Sequence, residues 1–145
     1  MKIKGAGKYS AHVTKVEIFE VGDVKGHTVS LRKAEGINSN LGQQVFMDGA
    51  KIVTMTFSDL VMGNGPHQGY TEMEKNGDLI ISKFDGRIVT TLSAEGKPIT
   101  SFSGTMHWIK SSGQFTNMQG GGIYKGHFTS ETSYEVEWEG EYWNK

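Results

Sequence analysis

Cysteine is absent from this 145-residue chain. Disulfide staples, thiolate metal sites and a cysteine nucleophile are thereby excluded. An excess of charge of either sign is lacking too. Fifteen Lys and Arg stand against sixteen Asp and Glu, for a formal net charge of −1, and no basic block occurs. Nucleic-acid surfaces need clustered cations, so no nucleic-acid partner is expected. No apolar run approaches the roughly 18 residues of a spanning helix, so no membrane span is expected. The opening MKIKGAGKYS carries charge with no apolar stretch behind it, unlike a secretory signal, and no N-x-S/T sequon occurs. The expected location is cytoplasmic, or secreted if a signal peptide has been removed.

What is present is alternation. The length suits one domain, 1–145, large enough to bury roughly 70% of the surface its unfolded chain exposes; residues 1–8 read as a loose lead. YSAHVTKVEIFEV places His12, Thr14, Val16 and Ile18 on one strand face and Val13, Lys15, Glu17 and Phe19 on the other. HTVSLRKAEGI, AKIVTMTFSDLVM and HQGYTEMEK follow as strands, the last ending at Asn76-Gly77-Asp78, a strong hairpin signal. LIISKFDGRIVTTL is long, and Asp85-Gly86 within it reads as a bulge. ITSFSGTMHWIK, the glycine-rich run and TSYEVEWEGEYW complete about eight strands, a count that fits a sandwich or a closed barrel. Only Leu41–Gly49 reads as a helical turn.

SSGQFTNMQGGGIYKGHF (Ser111–Phe128) holds five glycines. No Lys-Ser or Lys-Thr follows Gly120-Gly121-Gly122, as a P-loop requires, and the run leads into a strand where a dinucleotide fingerprint needs a helix. Glycine as a bending device in a small barrel is the reading that remains. Gly104-Thr105, then Ser112-Gly113-Gln114-Phe115, then Gly120, Gly122 and Tyr124, resemble the motif shared by allene oxide cyclases, dirigent proteins and many uncharacterised bacterial relatives. Two serines stand here for the first glycines of that family's turn. The resemblance spans about forty residues. It implies an eight-stranded antiparallel β-barrel, calycin-like, with a central cavity and often assembled as an oligomer. It further implies a small apolar ligand, without a cofactor.

The last strand sets its own register. Tyr134, Val136, Trp138, Gly140 and Tyr142 share one face, and Glu135, Glu137, Glu139 and Glu141 the other. Four buried carboxylates would cost several kcal/mol each, so the glutamates face water. In SFSGTMHWIK the inward set is Phe102, Gly104, Met106 and Trp108, with His107 outward; both faces are half apolar, so the opposite register stays open. With Tyr124, these inward aromatics are ligand-binding candidates.

Polar candidates for an apolar cavity are few. His12 shares a face with Val16 and Ile18, and Arg32 with Ser30 and Ala34. His67 and Tyr70 lie in the glycine-rich GNGPHQGY, and Arg87 follows Asp85-Gly86. Each could equally be an outward surface group. A catalytic site would pair His67, as acid or base, with Arg32, Arg87 or a tyrosine hydroxyl to steady developing charge. The five histidines show no close metal-binding spacing, so no metal site is expected. Two classes remain: a cofactor-free cyclase or isomerase, and a non-catalytic binding or carrier barrel of dirigent or lipocalin type; a packed interior without a cavity would leave a structural protein instead. A titratable group about 3 Å from a second polar group, with a perturbed pKa, would favour the enzyme.

Overall fold

The computed structural model describes residues 2–42 and 46–144. Eight strands run β1 (Ile3–Glu20), β2 (His27–Asn40), β3 (Lys51–Val61), β4 (Gly65–Lys75), β5 (Asp78–Leu92), β6 (Pro98–Ser111), β7 (Met118–Phe128) and β8 (Ser133–Asn144). Each pairs antiparallel with the next, and β8 closes on β1. The protein is therefore an all-β, eight-stranded antiparallel barrel. The segment read as a loose lead belongs to β1 from Ile3 on, paired through Gly7↔Trp138.

Turn chemistry explains the connections. Asn76 (φ 50°) and Gly77 (φ 87°) are both left-handed, as a two-residue hairpin of this twist demands. The helical turn expected over Leu41–Gly49 falls partly on 43–45, outside the described residues; Met47 to Gly49 form a bend and turn. The glycine run is strand, not loop: β7 passes unbroken through Gly120–Gly122. Gly120 sits at φ 116°, and a β-carbon there would strike the Glu141 carbonyl oxygen, so no side chain fits.

Two irregularities break simple alternation. Thr14 has no partner in β2, so the register shifts between Val13 and Lys15. The second lies opposite Ile81 and Ser82, where Ile109 of β6 is extra. No bulge occurs at Asp85-Gly86, contrary to expectation. Pairing runs straight through Asp85↔Thr105 and Gly86↔Gly104, and this glycine pair leaves the room that the Tyr124 hydroxyl occupies.

The two barrel ends differ. One is plugged by Phe46, from the β2–β3 loop, and Phe115, from a 3-10 turn, their rings 5.3 Å apart. Phe46 also packs on Trp138 (5.5 Å) and Tyr142 (5.0 Å). Burying such a ring contributes about 1.5–3 kcal/mol, so the plug is a stable floor. At the other end β1 and β2 overhang: β8 pairs with β1 only as far as His12, whereas β2 continues to Glu20. This is the mouth.

Candidate functional site

Above the plug, the interior keeps a cavity of about 70 Å³. Strand register divides its lining into two unlike walls. On one, Arg32 lies opposite Thr56, and Thr54 opposite Thr71, which in turn faces Ser82, with Ser58 continuing the row. These short hydroxyl residues recur at every second position because the side-chain period of a strand is two. The facing wall is aromatic. Phe102 meets Tyr134 edge-on at 5.6 Å, Phe84 meets Tyr124 edge-on at 5.5 Å, and Phe128 closes the group 5.4 Å from Tyr134. Edge-to-face contacts of this kind hold rings in place beyond their burial.

His67 projects from β4 between the walls. Its Nε2 lies 2.7 Å from the Tyr124 hydroxyl. Burial drives the imidazole down to about 4, with Asp85 on the outer face pulling weakly the other way. Burial raises the Tyr124 phenol well above its usual range, and Asp85 adds to that. Both are neutral at pH 7. Either the phenol donates to an unprotonated Nε2, or Nε2–H donates to the phenol oxygen and leaves the phenol proton for a ligand. Tyr134 is pushed up to about 12, mainly by burial.

Arg32 reaches the cavity from β2 and donates from Nη1 to Ser30 Oγ at 2.7 Å. Burial lowers its pKa, and Tyr134 nearby opposes that. Among the described residues no carboxylate forms an ion pair with it.

The expected residues separate by strand parity. His67, Arg32, Met106, Tyr124, Tyr134 and Trp138 converge on the cavity. Trp108 points inward but belongs to the floor, packing on Phe46 at 6.1 Å and donating Nε1–H to the Glu141 carbonyl at 3.0 Å. Three candidates face outward. Tyr70 is three residues from His67 along one regular strand, so it sits on the opposite face and is 41% exposed. Arg87 lies between inward Gly86 and Ile88 and is exposed. His12 is exposed between inward Ala11 and Val13, because the Thr14 bulge moves Val16 and Ile18 to the other face.

The hydroxyl wall and the Phe46 plug went unrecognised in the sequence. Thr54, Thr56 and Ser58 at alternate positions carried a usable signal for the first. Phe46 carried none, since only loop closure brings it inside. No family model matches the chain, and no curated protein resembles it closely enough to assign a family.

Proposed function

We propose that the protein is a binding barrel for one compact, mostly apolar small molecule, which enters at the mouth. The observation that carries this reading is the two-walled cavity, with aromatic edges facing a row of hydroxyls. Such a lining suits a planar or short-chain molecule with a polar edge. Size decides the class. A cavity of about 70 Å³ is half the about 150 Å³ that admits benzene in an apolar core. One ring or a short chain fits after small adjustments. A long fatty acyl chain would have to run out along the overhanging β1–β2 lip. Kinship with the allene oxide cyclase and dirigent barrels is part of the proposal, supported by the glycine motif and the strand count; a shared fold does not carry chemistry with it.

A second reading, a cofactor-free cyclase or isomerase, is favoured by the His67–Tyr124 hydrogen bond at 2.7 Å. Acid–base catalysis works best with a pKa near the working pH. His67 at about 4 is a feeble base at neutrality, and Tyr124 holds its proton. The chemistry open to the pair is polarisation of a ligand oxygen by the Tyr124 hydroxyl.

The test uses nitrobenzene, a single-ring quencher of tryptophan emission. Saturable quenching is expected in the parent. Trp138→Phe removes most of it, and Glu137→Gln, on the outer face, leaves it intact. Equal loss from both variants would place the probe outside the barrel. Under the catalytic reading, His67→Ala lowers turnover more than affinity; under the carrier reading it changes affinity alone.

A further inference from the structure

We propose that the natural ligand carries a single carboxylate and that Arg32 is its partner. This rests on the binding-pocket reading above and adds the ligand's charge. Among the described residues, the cavity lining contains one formal charge, Arg32, and no Asp or Glu. A guanidinium taken partly out of water is costly unless paired. Here Ser30 Oγ takes one of its five N–H donors. The neighbouring acids stand on the outer face: Glu17 pairs in register with exposed Leu31, Glu35 reaches Lys51 at 3.7 Å, and Asp59 bonds His27 at 2.6 Å. Asp85 lies on the exposed outer face. The guanidinium fork matches the two oxygens of a carboxylate.

The charge of the ligand follows from the count. Among the described residues no second cation lines the cavity, so a phosphate dianion would keep one charge unpaired; a monoanion balances Arg32. Its body would lie against the aromatic wall. Register adds an apolar lip beside the same group, since Val16 pairs with Arg32 and Ile18 with Ser30, and they are 47% and 53% exposed.

Isothermal titration of the parent with benzoate, benzamide and toluene tests this. Benzoate and benzamide match in shape and differ in charge. The expected result is tighter binding of benzoate by about tenfold or more, the range of a charge-assisted bond. Added sodium chloride should erode benzoate affinity and spare benzamide. Arg32→Gln should remove most of the preference, lowering benzoate affinity far more than benzamide affinity, and Arg32→Lys should keep part of it. The Gln variant should melt no lower than the parent, because it removes an unpaired, partly buried charge. Equal affinity for benzoate and benzamide, with no salt effect, would overturn the carboxylate assignment while the pocket stands. Failure of all three probes to bind the parent would overturn the pocket reading and this inference together.

Discussion

The imidazole of His67 and the phenol of Tyr124 join β4 to β7 across the barrel interior, Nε2 to hydroxyl at 2.7 Å, fifty-seven residues apart in the chain. The Tyr124 hydroxyl rests over the Gly86–Gly104 pair of β5 and β6. Three parts of the barrel thus meet at one oxygen.

Acid should act through this point. His67 titrates near 6.5 when unfolded and near 4 when folded. Between those values the unfolded chain holds the proton and the native state does not. Stability therefore falls as pH drops from 6.5 toward 4 and levels off below. The gap corresponds to roughly 3 kcal/mol at its limit. Denaturant midpoints across this window should drop in the parent and flatten in His67→Gln. An unchanged acid slope in the variant would mean that His67 is not the buried neutral group described.

The glycine pair makes a steric prediction. A β-carbon on Gly86 would strike the Ser103 carbonyl oxygen and come within 2.7 Å of both the Gly104 α-carbon and the Tyr124 hydroxyl. Gly86→Ala should cost more than about 2 kcal/mol, beyond an ordinary surface change. Tyr124→Phe in that background should return only a small part of the loss, since the Ser103 carbonyl and the Gly104 backbone still crowd the site. A Gly86→Ala protein that melts like the parent contradicts the packing.

Gly120 tests the bend in β7. A β-branched residue at φ 116° would be strained and would strike the Glu141 carbonyl. Gly120→Val should lower stability by over ~2 kcal/mol. Differential scanning calorimetry decides it, and a melting temperature equal to the parent's would show a tolerant loop.

The barrel was legible where chemistry enforces one answer. Glu135, Glu137, Glu139 and Glu141 cannot all be buried, so Tyr134, Val136 and Trp138 had to point inward, as they do. Asn76-Gly77 permitted little except a tight turn. Legibility failed where a local device shifts parity. His12 was misplaced because one unpaired residue, Thr14, reverses the faces beyond it. Tyr70 fails a test that the sequence itself offered: two residues an odd distance apart on a regular strand, as it and His67 are, cannot share a face. Arg87 faces outward because pairing runs straight through Asp85-Gly86, where a bulge was expected. The site's partnership, His67 with Tyr124, depends on barrel closure, which no local pattern records.

The mouth carries its own pH dependence. His27, at the start of β2, lies 2.5 Å from Asp23 and 2.6 Å from Asp59 through its two ring nitrogens. Bonding to Asp23, then Asp59, raises the His27 pKa, and the bond from His27 lowers that of Asp23. The histidine's contribution is present below its ordinary pKa and lost as pH rises through the raised value. The Asp23 contribution is present above its ordinary pKa and lost as pH falls through the lowered one. The β1–β2 turn should therefore be tightest between the two. Once rates are corrected for intrinsic exchange, amide protection of Val24 and His27 should fall on the alkaline side in the parent. In His27→Gln that fall should be absent. Protection that follows the same alkaline course in both proteins would contradict the clamp.

The small-molecule pocket itself is tested most directly by methyl NMR of methionine-labelled protein titrated with toluene. Met73 and Met106 line the cavity, whereas Met62, on the β3–β4 turn, is 63% exposed. Binding inside the barrel should shift the Met73 and Met106 signals saturably, with one common dissociation constant, and leave Met62 in place. Shifts confined to Met62, or no shift at any methionine as toluene approaches its solubility limit, would contradict the account.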